Sequence, residues 1–574
     1  MDSALKIAFV TAEVRPFAAT GGLADVAAAL PKELRRLGHD VRLIMPYYAM
    51  IEAYRPTPQE IPALREPILV PNEGRMCVKV THLPNTDVPV YLLQALDRDY
   101  YSRTHNRDQI YGWADDGSRF IFLCRGTLEL LNALDWTPDV IHCNDWHAGL
   151  IPTYLQSVYR YDFPCTASVY TSHNLLYSGP DNLSAAASRE AGLGRELVPL
   201  VHPHEYYGHF NFAKGALLTA DVVNTVSPTY AEEVLLPESE PLPHEVRIPD
   251  GPQTLRHRPR IPNGVGFCDI LRYRRQSRPF VGILNGIDVD YWNPRTDALL
   301  EIPTLRGLGQ QLSPAIHIDP LPLSALCYGS DDAPEQIMAR KALHKRRLQL
   351  LCGLALDDRA LLIGRVARIG DQKDYILMAE DARALEAIME MPCQLVVLGR
   401  ASGGDVVGQW YRREYTRFDQ THPDRLCYLN SRWEQRLGQP LPPNADFELE
   451  HLIYAGCDAF LIPSLYEPCG LTQMVSLRYG TVPIVRRTGG LADTVRDASE
   501  PPHAIKGGGF VFDEPSPAAL TEAVWRAVNL YRAEPDAWRT LAIDGMQKDL
   551  SWTPSAHQYL EAYRLSQRIR RSGG

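Results

Sequence analysis

The residues that could do chemistry gather in a few short stretches. Glu467 stands in the loop Pro463-Ser464-Leu465-Tyr466-Glu467-Pro468-Cys469-Gly470, after the apolar run Ala459–Ile462 and before a helical pattern. A helix N-terminus at a strand end suits an anion. A carboxylate there either grips sugar or ribose hydroxyls beside a phosphate or simply caps the helix. Arg368 and Lys373 follow another apolar run, Leu361–Val366. Two cations in that position suit a diphosphate, and a solvated basic turn is the plainer alternative. His147 lies in Asn144-Asp145-Trp146-His147, and His173 lies in Thr171-Ser172-His173-Asn174. Each histidine follows a strand, where it could serve a site or merely satisfy a turn. The hexapeptide Thr-Gly-Gly-Leu-Ala-Asp occurs at Thr20–Asp25 and again at Thr488–Asp493. This predicts a glycine loop from each half facing a shared cleft, the alternative being a turn that starts a helix well.

The elements that must position these residues alternate as strand and helix. Strands are expected at Lys6–Val10, 41–45, 88–93, 140–142, 166–170 and 222–226. A second series is expected at Leu361–Val366, 395–398, 426–428, 459–462, 483–485 and 510–512. Helices are expected over 116–134, 206–218, 334–351, 517–531 and 555–569. Polar residues at successive strand ends are what a doubly wound α/β sheet uses for a site. There is no Gly-x-Gly-x-x-Gly and no Gly-Lys, so neither a dinucleotide fingerprint nor a P-loop is present. Residues 236–260 and 303–332 lack periodicity and read as irregular surface inserts.

At 574 residues the chain is too long for one core, so two large domains are expected. A formal net charge of −10 argues against a nucleic-acid partner. Eleven scattered cysteines without a Cys-x-x-Cys fit a reducing cytoplasm rather than a disulfide or zinc framework. No signal peptide and no membrane span is expected.

At this point the chain resembles the bacterial glycogen synthases and plant starch synthases, retaining glucosyltransferases that use ADP-glucose. The resemblance rests on Asp139–Leu150, His173–Gly179, Phe212–Glu233, Gly282–Asp297, Arg368–Lys373 and above all Tyr454–Val495, with its Glu-Pro-Cys-Gly-Leu-Thr-Gln-Met. It implies a GT-B fold, two facing Rossmann-like domains with an interdomain cleft. The expected domains are 1–283, 284–545 and a closing helix, 546–574, that crosses back to the first. The resemblance also implies an α-1,4-glucan acceptor, no cofactor and no metal. By it, His147 and Asp115 serve the transferred glucose, and Arg368 and Lys373 neutralise the leaving ADP. Glu467, with Cys469, Gly470, Leu471 and Thr472, lines the donor, as do Thr20, Gly21 and Gly22. Retention without a nucleophile implies attack on the face that ADP leaves.

Three departures stand out. Ala19 replaces the family lysine before Thr20-Gly21-Gly22, removing a cation from the diphosphate, an absence that Arg15 could offset. Ala445 replaces an aromatic, with Phe447 nearby. The two inserts could reshape the acceptor side. A relative with another nucleotide sugar or a small acceptor, or a glucan-binding protein with weakened catalysis, is therefore the alternative.

Overall fold

A computed structural model describes residues 3–105, 110–179, 183, 185–194, 202–250, 253–312, 320–438, 442–499 and 508–573. The chain divides into two compact units, one of residues 1–238, 262–288 and 551–574, the other of 239–261 and 289–550.

The first unit is built on a sheet in the order Phe280–Gly282, Val222–Thr225, Ala167–Ser172, Val140–Asn144, Lys6–Val10, Asp40–Pro46, Pro89–Ala95, Gly74–His82, Gln59–Glu60. The strands are parallel as far as Pro89–Ala95, and Gly74–His82 then pairs antiparallel. Val140–Asn144 and Ala167–Ser172 are buried along their whole length. Covered on both faces, they show no in-and-out alternation, and their buried polar members His142, Ser168 and Thr171 are hydrogen-bonded within the fold. The order of the sheet reverses beside Lys6–Val10, which has Asp40–Pro46 on one side and Val140–Asn144 on the other. Such a switch point leaves a crevice at the strand C-termini.

The helix Trp552–Arg571 belongs to this unit and lies on its strands. Tyr563 hydroxyl and His142 Nδ1 are 2.8 Å apart, and Asn224 Nδ2 donates to Tyr559 at 3.2 Å. His142 Nε2 meets Thr171 Oγ1 at 2.7 Å, and Thr171 in turn donates to Asn224 Oδ1 at 2.7 Å. Three adjacent strands thus share one buried polar chain with the helix, and its members are satisfied by each other.

The second unit has an all-parallel sheet in the order Leu426–Tyr428, Cys393–Leu398, Leu361–Val366, Ala459–Ile462, Val482–Arg486, Gly508–Phe512, Arg496–Asp497. Its switch point falls between Leu361–Val366 and Ala459–Ile462. No helix among the described residues is long and apolar enough to cross a membrane.

Three expectations need correction. Residues 236–260 are not an open surface excursion. Val246–Asp250 and Gln253–His257 form an antiparallel hairpin, residues 251–252 lying outside the described ones. Leu242, Val246 and Ile248 are buried in the core of the second unit. The hairpin meets the helix Asp371–Glu390 where that helix leaves helical geometry at Ala379–Ala382. Glu380 N donates to Glu245 O at 2.8 Å there, and His244 Nδ1 lies 2.5 Å from Glu380 Oε1. Second, the helix expected over 206–218 starts later. A small hairpin, Glu205–Tyr206 with His209–Phe210, precedes the helix Phe212–Thr219, which Asn211 caps. Third, 303–332 holds the helices Pro303–Leu312 and Leu323–Leu326, while 313–319 lie outside the described residues. The Glu448 carboxylate accepts from Thr304 N at 3.0 Å and Leu305 N at 2.9 Å, taking up orphan N–H groups at the start of the first of these helices.

Candidate functional site

In the second unit the candidate residues stand at the switch point. Lys373 and Glu467 form an ion pair, and Ser464 Oγ donates to the same Glu467 oxygen at 2.8 Å. Glu467 is 7% exposed, so the carboxylate is held rather than solvated. The two loops that carry the pair are fastened together. Gln372 Nε2 donates to Tyr466 O at 3.1 Å, and Leu465 N donates to Gln372 O at 2.8 Å. Beneath them Arg365 is ion-paired with Asp374 and donates through Nη2 to Lys373 O at 2.8 Å. Asp374 also accepts from Gly370 N at 2.9 Å and Tyr415 hydroxyl at 2.7 Å. A satisfied buried network of this kind fixes the course of the loop and so the position of Lys373. Arg368 lies exposed in the same loop. Cys469 is buried, and Gly470, Leu471 and Thr472 are half-buried at the start of the helix Thr472–Arg478.

The second copy of the hexapeptide has a packing role here. Gly489 has φ +43°, and a Cβ on it would lie 1.9 Å from Glu467 O. A Cβ on Gly490 would lie 1.9 Å from Cys469 O. Gly490 N donates to Glu467 O at 3.0 Å. Only bare backbone lets this turn press against the Glu467 loop.

The first copy meets a different environment. Gly21 and Gly22 are exposed, and a Cβ on Gly21 would touch nothing within 4 Å. Buried Glu13 occupies the anion position at this helix start. Its carboxylate accepts from Thr20 N at 2.5 Å, Thr20 Oγ1 at 2.7 Å and Gly21 N at 3.1 Å. Tyr111 hydroxyl donates to it at 2.5 Å. Thr20 and Gly21 therefore direct their N–H groups to a protein carboxylate. Arg15 makes a two-point pair with Asp25, at 2.6 and 3.3 Å, and half-buried Ala19 brings no charge.

Tyr111 also stacks on His147, the ring centroids 4.8 Å apart. Phe120 and Trp146 close round the same imidazole at 4.6 and 4.3 Å. His147 Nδ1 is buried and has no hydrogen-bond partner. Burial, followed by the charges of Arg119 and His173, holds its pKa well below the usual histidine value, so the ring is neutral. His173 is also neutral, pushed by burial down to about 3, with Nε2 3.0 Å from Asn144 Oδ1. Asp145, at φ 55°, accepts from His173 N at 2.7 Å, and burial raises its carboxyl to about 7. Asp115 stands at the N-terminal boundary of the helix Asp116–Ala133 without a side-chain cap hydrogen bond, and it is ion-paired with Arg103, whose guanidinium lies 4.3 Å over Trp113.

The structure thus joins Lys373 to Glu467 and places His147 at the first unit's switch point. Glu13 and Tyr111 are organising residues for which the sequence reading found no role. Glu13 was visible in the strand-end loop. Tyr111 comes from an irregular segment with no pattern to mark it. Of the departures, Ala445 is buried on the helix Pro443–Gly456, and Phe447 is half-buried on the same helix.

Two sheet-and-helix units of this topology define a GT-B glycosyltransferase. The family model for the starch synthase catalytic domain matches residues 6–245, and that for glycosyl transferases group 1 matches residues 353–540. A glycogen synthase of Geotalea daltonii is 38% identical over 570 residues, covering 98% of this chain and 99% of that protein. One of Thermotoga maritima is 36% identical over 569 residues, covering 98% of each. The catalytic domain of starch synthase IV from Arabidopsis thaliana, solved with ADP and acarbose, superposes with a TM-score of 0.78 at 29% identity. That match covers 99% of this chain and 100% of the solved one. The chain belongs to the glycogen synthase family and is a hexosyltransferase.

Proposed function

We propose that the protein transfers glucose from ADP-glucose to the non-reducing end of an α-1,4-glucan, with retention. The observation that carries this reading is the Lys373–Glu467 pair, seated with Ser464 at the second unit's switch point. An ammonium beside a carboxylate offers a diphosphate a cation and a sugar an acceptor in one place. The starch synthase IV domain solved with ADP supports the adenine nucleotide.

In this reading Arg368 and Lys373 neutralise the departing diphosphate. Glu467 and the segment Cys469, Gly470, Leu471 and Thr472 hold the donor's sugar and phosphates. The Thr20-Gly21-Gly22 loop meets the donor with its exposed glycine backbone. His147 and Asp115 serve the transferred glucose. The His147 imidazole is neutral and so does not oppose positive charge on the sugar. The C1–O bond to the β-phosphate breaks as the acceptor hydroxyl bonds to C1 on the same face, its proton passing to the departing phosphate oxygen. Positive charge that develops on the sugar is stabilised by nearby carboxylate and carbonyl oxygens. A cytoplasmic location goes with the eleven unpaired cysteines.

The test is elongation of glycogen with ADP-, UDP- or GDP-glucose as donor. ADP-glucose should be preferred, and His147→Ala should lower kcat by about 10²–10³, the loss typical of a transition-state hydrogen bond. Absence of elongation with every donor would overturn the reaction, and preference for another donor would overturn the nucleotide.

A further inference from the structure

The helix Pro517–Ala533 buries Leu520, Ala523, Val524, Ala527 and Val528 against the second unit's core. Its outer face has two kinds of residue. Arg526 is tied to Glu522 and to Asp497 at 3.0 and 2.9 Å. Trp525, Asn529 and Arg532 are spaced i, i+4, i+7 and so share one stripe. None of those three side chains has a hydrogen-bond or ion-pair partner among the described residues. Trp525 is 55% exposed and is the one tryptophan among the exposed large apolar side chains. With Met391 and Pro392 the stripe lines a hollow of about 280 Å³.

This hollow is remote from the donor residues within its own unit. The helix follows the strand Gly508–Phe512 and runs back, so its later turns reach the edge where the parallel strands begin. Met391 and Pro392 enter the strand Cys393–Leu398 at that edge. Glu467 and Lys373 stand beyond the opposite, C-terminal edge.

We propose that this hollow is a second carbohydrate site, taking one or two glucosyl rings of an α-glucan chain. The proposal rests on the assignment of a glucan as acceptor. An indole face left in water matches the apolar C–H face of a pyranose. An amide and a guanidinium on the same stripe supply donors for adjacent hydroxyls. The volume falls just under the roughly 300–1,000 Å³ of pockets that enclose a drug-sized ligand, which fits a ring held by one face. A phosphate or nucleotide fits less well, because the hollow lies over the last turns of the helix, where the carbonyl ends disfavour an anion. No carboxylate lines it to hold a cation. A polymeric acceptor gains from such a site, since one anchored branch raises the local concentration of its neighbours.

The experiment uses the full chain. Mobility in native gels containing glycogen, without donor, is compared for the parent, Trp525→Ala, Trp525→Phe and Arg532→Ala. Trp525→Ala should weaken retention roughly tenfold and raise the KM for glycogen by a similar factor. The kcat and the KM for ADP-glucose should not change. Trp525→Phe should keep most of the retention, and the Tm of Trp525→Ala should match the parent's, which a merely structural role would not allow. Parental mobility and glycogen KM in Trp525→Ala would overturn the site. So would loss of ADP or inorganic phosphate binding in that variant with maltoheptaose binding intact. Trp525-dependent retention by a protein that transfers no glucose would support the site and overturn only the reaction.

Discussion

At the scale of the residue, the first unit's loop is organised by a carboxylate where a ligand anion was expected. Glu13 takes two N–H groups and two hydroxyls from its own fold, and Arg15 is committed to Asp25. With Arg15 paired to Asp25, we read the Ala19 position as lacking a dedicated cation for the proposed donor. Ala19→Lys adds a charge where no loose cation from Arg15 opposes it. Donor binding should tighten by about 1.5–3 kcal/mol, or one to two decades in kcat/KM with ADP-glucose. A kinetic comparison on glycogen that shows no gain removes the claim that this position limits the enzyme. Asp145 gives a second test. Its carboxyl, raised by burial to about 7 in the fold, titrates near 3.9 when unfolded. Between those values the folded state binds the proton more tightly, so this group's contribution to stability falls as pH rises from about 4 to 7. Asp145→Asn keeps the acceptor for His173 N and removes the ionisation. Its Tm should exceed the parent's at pH 8 and match it near pH 4, and equal shifts at both would refute the titration. Lys373 and Glu467 were legible in the sequence because each stands just past an apolar run that could only be a buried strand. Tyr111 was not, because its two partners, Glu13 and His147, are distant in sequence and only the fold assembles them.

At the scale of the element, buried parallel strands such as Ala459–Ile462 were legible because burial on both faces leaves an unbroken apolar run. The hairpin over Val246–Asp250 and Gln253–His257 was not. It buries one face only, among prolines and arginines, against a helix that lies more than a hundred residues further on. The left-handed residues Glu380, Asp381 and Ala382 sit where that hairpin meets the helix. Nothing in the local sequence marks a break there, because alanine and glutamate favour continuing the helix. The polar chain from Tyr563 through His142 and Thr171 to Asn224 and Tyr559 makes its own prediction. Tyr563→Phe leaves His142 Nδ1 buried without its partner and should cost about 1–3 kcal/mol. The denaturant midpoint should fall with the slope unchanged. A loss below about 0.5 kcal/mol, the size of an ordinary surface substitution, would mean that the helix does not depend on this bond.

At the scale of the whole molecule, each unit is assembled from separated stretches of chain. Residues 239–261 leave the first unit's sequence to pack in the second, and 551–574 return to the first. This bears on the order of events during synthesis. The strands around His142 are made early, but Tyr559 and Tyr563 reach them only after residues 289–550 have been translated. At about 5–20 residues per second that is a wait of roughly 13–50 s, during which the early half exposes an apolar face and unpaired polar groups to whatever is nearby. A released chain truncated after Leu550 should therefore show a protease-resistant second unit and a protease-sensitive first one. Equal resistance in both would show that the first unit closes without its final helix. The half that starts to fold first is the half that finishes last.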